Sequence, residues 1–141
     1  MILVVDDFRD GGEALCRLLK QRGYPCQYVS NGPEALAQLR SHPAEQPLLL
    51  VLDEMMPVMS GLEVLRAIRA DPQIRSTCVI VFTAGFDIAK REEAITLGVA
   101  AWLLKGTDFE QIMKTVGEWY ERLGGVCSTR RESSRKNDAG E

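Results

Sequence analysis

The stretch Pro47-Leu48-Leu49-Leu50-Val51-Leu52-Asp53-Glu54-Met55-Met56-Pro57, followed by Gly61, decides the reading of this chain. It is a short, continuous apolar run that ends abruptly on an acid. A run of that length, rich in β-branched and leucine residues, suits a strand buried on both faces, as in a parallel sheet. Three other segments have the same form. Ile2-Leu3-Val4-Val5 ends on Asp6 and Asp7, Val79-Ile80-Val81-Phe82 on Thr83, and Ala101-Trp102-Leu103-Leu104 on Lys105. Four strand ends thus supply three carboxylates, a hydroxyl and an ammonium.

Working outward, strand-like and helix-like segments alternate along the chain. Strands are expected over 1–6, 25–30, 47–52, 77–82 and 100–104, and helices over 10–22, 32–41, 61–70, 87–97 and 108–123. Asn31-Gly32-Pro33 combines a capping residue with an early proline. Gly23 and Gly98 follow helical segments at positions that suit a left-handed C′ residue. Thr107-Asp108-Phe109-Glu110 fits a capping box. The helix it opens places Phe109, Ile112, Met113, Val116 and Tyr120 on one face. Gly11-Gly12 is an awkward helix start.

Strict alternation of strand and helix predicts an α/β fold, a doubly wound (βα)5 unit of flavodoxin-like type with parallel strand order 2-1-3-4-5. In such a sheet every strand C-terminus lies on one edge, and ligands bind where the winding reverses, between strands one and three. Asp6, Asp7 and Asp53 end those two strands. Fold and chemistry therefore indicate one location.

The totals narrow the function classes. The 141 residues carry 17 basic and 20 acidic side chains, a net charge of −3, which is one domain's worth of chain without the basic face of a nucleic-acid binder. No apolar stretch approaches a membrane span and no leader is visible, so a cytoplasmic location without membrane attachment is expected. Cys16, Cys26, Cys78 and Cys127 lack the spacing of a zinc site; the first three read as reduced core residues and Cys127 as part of the polar tail. His42, in Ser41-His42-Pro43, reads as a surface loop residue. Residues 1–123 form the expected domain, and 124–141 read as a polar, disordered C-terminal tail.

A single aspartate at a strand end is ordinary turn chemistry, a strand-end threonine is ordinary β-propensity, and a lone lysine is usually a solvated charge. On four strand ends together they form a set suited to Mg²⁺ and a phosphoryl group. Mg²⁺ takes carboxylate, water and phosphate oxygens and offsets the repulsion among crowded acids. A carboxylate is also a competent phosphoryl acceptor.

Over residues 1–123 the chain resembles the receiver domain of two-component response regulators. The matching pieces are Asp6-Asp7, Asp53-Glu54-Met55-Met56-Pro57 with Gly61, Thr83-Ala84, and Trp102-Leu103-Leu104-Lys105, in that order and at matching intervals. The resemblance implies that Asp53 accepts a phosphoryl group from a histidine kinase or a histidine phosphotransfer protein. It implies Mg²⁺ bound directly by Asp7, Asp53 and the Met55 main-chain carbonyl, with Asp6 acting through water. Thr83 and Lys105 would contact the phosphoryl group. Thr83 and Trp102 would relay its arrival to a partner-binding surface made by helix four, strand five and helix five. No direct nucleic-acid contact is expected.

Two departures stand out. Gly106 replaces the proline that usually follows the lysine, so a trans bond or a strained cis bond is expected there, with a less firmly held Lys105. Glu54 adds an acid beside the phosphoacceptor and is expected to point to solvent. Without an output domain in the sequence, a stand-alone receiver acts as an effector or a phosphorelay intermediate and is not a conventional enzyme. A degenerate receiver acting as a phosphorylation-independent binding module, or a fragment of a longer regulator, remain alternatives. An aspartyl phosphohydrolase would place an Asp-x-Asp-x-Thr pattern on strand one, which is absent. A flavin or dinucleotide module would need a Gly-rich turn after the first strand.

Overall fold

The computed structural model describes residues 1–85, 87–106 and 108–125. Cys127, nearly all of the expected tail, and Thr107 of the expected capping box lie outside the described residues. The elements are β1 (Ile2–Val5), α1 (Arg9–Gln21), β2 (Cys26–Val29), α2 (Gly32–Ser41), β3 (Leu49–Leu52), α3 (Gly61–Ala70), β4 (Cys78–Thr83), α4 (Ile88–Thr96), β5 (Ala101–Leu104) and α5 (Phe109–Arg122). The strands form one parallel sheet in the order β2-β1-β3-β4-β5. Fold class and strand order match the sequence reading.

The central strands β1 and β3 are buried at every position, which explains why they read as unbroken apolar runs rather than alternating ones. Their side chains still alternate between two cores. Leu3, Val5, Leu50, Leu52, Val79 and Val81 face the layer made by α2, α3 and α4. Ile2, Val4, Leu49, Val51 and Ile80 face α1 and α5. This parity decides which strand-end residues can meet.

The caps are local and specific. Asn31 accepts from the Glu34 amide at 2.9 Å, with Pro33 in the first turn of α2. Ser60 caps α3 through Glu63 and Asp87 caps α4 through Lys90. Asp108 caps α5, accepting from the Glu110 amide. Each such cap is worth about 1 kcal/mol. Phe109, expected on the buried face of α5, is 43% exposed in the first turn, whereas Ile112, Met113, Val116 and Tyr120 are buried. Gly124 and Gly125 are not yet tail: their amides bond the carbonyls of Glu121 and Tyr120 and close α5.

The awkward Gly11-Gly12 pair lies inside the first turn of α1 rather than before it. A Cβ on Gly12 would sit 2.3 Å from the Tyr28 ring. That ring is in place because its hydroxyl donates to the Asp6 carbonyl at 2.6 Å. Helix propensity is thus given up for close packing beside the β1 end. Among the described residues Cys16 and Cys26 are buried and Cys78 half-buried, all as free thiols. His42 lies in the loop after α2, its ring Nε2 3.2 Å from the Gln46 carbonyl oxygen. No helix among the described residues is long and apolar enough to cross a membrane.

Candidate functional site

The site is built at the C-terminal edge of the sheet, where β1 and β3 part from opposite sides of the crossover. The Asp53 amide still bonds the Val5 carbonyl at 2.9 Å, so the β1–β3 ladder fixes the residue to within one step of Asp6. Parity then sends Asp6 and Asp53 to the α1/α5 side. One carboxylate oxygen each from Asp6, Asp7 and Asp53 lies within 4.8 Å of the others. Asp6 and Asp53 are buried, while Asp7 is exposed. Asp6 also accepts from the Phe8 amide at 2.9 Å, which turns the chain into α1.

Lys105, one step beyond β5, reaches the same side. Its Nζ donates to Asp6 Oδ2 at 2.7 Å and stands 3.5 Å from Asp53 Oδ2. The stem crosses Phe82, with Nζ 5.6 Å from the ring centre. The expectation of a loosely held lysine is therefore corrected: two acids grip it. The described residues contain no cis peptide bond, and Gly106 takes φ +96°. Proline, fixed near −65°, cannot adopt that conformation, and glycine adopts it without steric cost.

The electrostatics follow from burial first and crowding second. Burial raises the Asp53 carboxyl to about pKa 6, and the neighbouring Asp6 adds to the rise, while Lys105 and the Met55 amide (3.2 Å from Oδ1) oppose it. Burial works against the charge on Lys105, but its bonds to Asp6 and Asp53 outweigh that and raise its pKa. One ammonium against three carboxylates leaves the cluster short of positive charge. A set of hard oxygen donors in that condition fits Mg²⁺.

Thr83 and Trp102 fall on the other side of the sheet. Thr83 is fully buried, and its Oγ1 accepts from the Gly85 amide at 3.3 Å. Trp102 packs partly buried against the α2–α4 core. Both line a cleft of about 200 Å³ with Glu54, Met55, Gly85, Asp87 and Lys90. Met55 is 58% exposed, and its Sδ fills the space over Gly85, 2.7 Å from where a Cβ would lie.

Glu54 does not point to solvent. It is 4% exposed, and its Oε2 accepts from the Leu62 amide at 2.8 Å, at the N-terminus of α3. Its Oε1 lies 3.6 Å from Lys90 Nζ on α4. Strand alternation held the signal: a residue after Asp53 must turn to the opposite face, and Gly61 leaves room there, since a Cβ would meet the Asp53 carbonyl at 2.5 Å. Lys90 and Tyr28 also escaped the sequence reading, because only the fold brings them to the strand ends.

Comparison with known proteins agrees with this geometry. The family model for the response regulator receiver domain matches residues 2–117. Response regulator MprA of Mycobacterium ulcerans is 37% identical over 116 residues, covering 79% of this chain and 46% of that protein. MprA of Mycobacterium tuberculosis H37Rv is 36% identical over 112 residues, with the same shares. The chain thus spans about half the length of the curated relatives it matches. A response regulator receiver protein from Pseudomonas putida superposes with a TM-score of 0.76 at 31% identity, over 83% of this chain and 94% of that one. Chemotaxis protein CheY4 of Vibrio cholerae superposes at 0.70 with 26% identity, over 86% and 96%. The chain belongs to the response regulator receiver domain family of two-component signalling.

Proposed function

We propose that Asp53 is the phosphoacceptor of a signalling switch, fed by a phosphohistidine on a kinase or phosphotransfer protein. The observation that supports this reading is the meeting of Asp53 with Asp6, Asp7 and Lys105 at one sheet edge. Asp6, Asp7, Asp53 and the Met55 main-chain carbonyl are the groups that would hold Mg²⁺. Bound there, the ion supplies charge neutralisation for the carboxylates and the incoming phosphoryl oxygens.

The chain's own residues do the rest. An Asp53 carboxylate oxygen attacks phosphorus while the P–N bond to the donor imidazole breaks. The electron pair of that bond returns to the imidazole nitrogen. Lys105, now on Asp6 and Asp53, pairs with a phosphoryl oxygen and replaces the carboxylate charge it loses. Thr83, whose hydroxyl lies on the other side of the sheet and accepts from the Gly85 amide, would reach a phosphoryl oxygen by moving towards it on loading. Hydrolysis reverses the state: water oxygen attacks phosphorus, the acyl O–P bond breaks, and Asp53 leaves as carboxylate with inorganic phosphate.

On this reading the domain catalyses its own loading and unloading and is not a turnover enzyme. Its output is protein binding at the surface of α4, β5 and α5, or transfer of the phosphoryl group onward. Mass spectrometry of the intact protein after incubation with Mg²⁺ and acetyl phosphate tests it. A single phosphoryl adduct is expected, dependent on Mg²⁺ and absent from Asp53→Asn. An adduct that persists in Asp53→Asn overturns the assignment.

A further inference from the structure

The site as described leaves one buried acid unused. Glu54 adjoins the phosphoacceptor yet faces away from it, fixed through Oε2 to the α3 amide of Leu62. Its other oxygen has only Lys90, at 3.6 Å, which is beyond hydrogen-bond length. Lys90 is itself half exposed, and among the described residues Glu54 is the acid within ion-pair distance of its ammonium. In the same cleft stands a second incomplete group. Among the described residues, Trp102 Nε1 is the buried side-chain polar atom that makes no hydrogen bond. A buried indole N–H without an acceptor is costly, whereas Glu54 Oε1 has the Lys90 ammonium at ion-pair distance and capacity for a further donor. One cleft therefore holds an unpaired donor and an underpaired acceptor, with open space between the side chains that line it.

We propose that Glu54 is a two-position acceptor that couples the phosphoacceptor strand to α4. In the arrangement seen here its free oxygen is shared with Lys90, which tethers α4 to the β3 end. In the alternative arrangement Trp102, which already lines the cleft, turns its indole to donate Nε1–H to Glu54, and Lys90 is released. The charge of Glu54 serves both positions, so the exchange is a two-state element that phosphorylation biases. Glu54 is thus a positioning residue rather than a catalytic one. It acts through Trp102 and α4 and touches no phosphoryl oxygen. This inference rests on the phosphoacceptor reading of Asp53.

The test uses the full chain with Trp119→Phe, which leaves Trp102 as the sole indole. Intact mass reports the adduct, and Trp102 emission reports the exchange. Lys90→Met, at an exposed position, is expected to shift the resting emission at least halfway towards that of the phosphorylated parent. Lys90→Arg is expected to restore the parental emission. Glu54→Gln keeps an acceptor for Leu62 and is expected to load phosphoryl within about threefold of the parent, while the emission change falls by half or more. A full emission change in phosphorylated Glu54→Gln, or a resting emission unmoved by Lys90→Met, overturns the exchange while leaving the phosphoacceptor reading intact. Loss of the adduct in the Trp119→Phe parent itself overturns the phosphoacceptor reading, and with it the exchange.

Discussion

On one side of the β3 end, charge is crowded: carboxylate oxygens of Asp6, Asp7 and Asp53 lie within 4.8 Å of one another, and Lys105 is in ion-pair reach of Asp6 and Asp53. On the other side, one residue further along the chain, the surface opens. Glu54, Thr83 and Trp102 line an open cleft, with an indole N–H unpaired. The two regions differ because strand alternation separates neighbours in sequence by the thickness of the sheet. A charged cluster held by a ladder resists rearrangement, whereas an open cleft with one unpaired indole N–H is where a second arrangement costs least. The first region suits chemistry and the second suits response.

The comparison breaks most readily at Lys105. Lys105→Met removes the only basic side chain in contact with Asp53 among the described residues. Loading from acetyl phosphate, followed by intact mass, is expected to slow about 100-fold, the loss typical of one stabilising donor at a reacting oxyanion. If loading falls less than about threefold, the lysine is not part of the chemistry, and the charged region is merely a structural ion pair.

Next in size is the pH dependence of stability. Asp53 has a folded pKa of about 6, above its ordinary 3.8. The fold therefore favours the protonated acid. That contribution is complete below about pH 4 and is lost as pH rises through 6, so at pH 8 the buried carboxylate destabilises the metal-free protein. Asp53→Asn is expected to raise stability at pH 8 by up to about 3 kcal/mol at the conversion of 1.36 kcal/mol per pKa unit. The gain disappears near pH 4. Urea denaturation at the two pH values, with EDTA, checks this, and saturating Mg²⁺ is expected to shrink the gain at pH 8. An equal gain at both pH values would remove the claim that burial of an ionised carboxylate, rather than packing, strains this side.

Thr83→Ala probes the other side. Loading at Asp53 is expected to slow by less than about tenfold, since Thr83 lies across the sheet from Lys105, while the Trp102 emission change accompanying loading is lost. Stability falls by about 1 kcal/mol, as the Gly85 amide loses its acceptor. If loading collapses and the emission change per adduct persists, chemistry and response are not divided between the two faces.

What the sequence disclosed follows the same division. Leu48–Leu52 and its counterparts are continuous apolar runs because their strands are buried on both faces, so the sheet and its order were legible. Asp6, Asp7, Asp53 and Lys105 were legible because each directly follows such a run, and the edge of a parallel sheet gathers them whatever the loops do. The cleft was not. Glu54 reads as a surface acid until alternation and the glycine at 61 are considered together. Lys90 and Trp102 meet it only through the placement of α4 and β5, which depends on packing at long range. The Gly11-Gly12 start of α1 was opaque for the same reason: its cause is the ring of Tyr28, sixteen residues beyond Gly12. Phe109 kept helical period with the buried residues of α5 yet stays 43% exposed at the first residue of the helix.

The smallest effect is expected in the loop that joins the two regions. Val58 has φ +67° and is fully exposed, and the Met59 amide bonds the Pro57 carbonyl at 2.7 Å. That is a γ-turn centred on a β-branched residue in the left-handed region, a strained arrangement. Val58→Gly is expected to stabilise the fold by about 1 kcal/mol through relief of that strain, less the backbone entropy glycine adds to the unfolded chain. Thermal denaturation reads the gain. Because Val58 touches neither the acids nor the cleft, loading rate and Trp102 emission are expected to stay within about twofold of the parent. A stabilised Val58→Gly protein with altered loading would mean that the strained loop positions Asp53, and that the β3–α3 connection belongs to the chemical region. An altered emission change with unaltered loading would place the loop with the cleft, because Met55 is shared between the loop and the cleft lining.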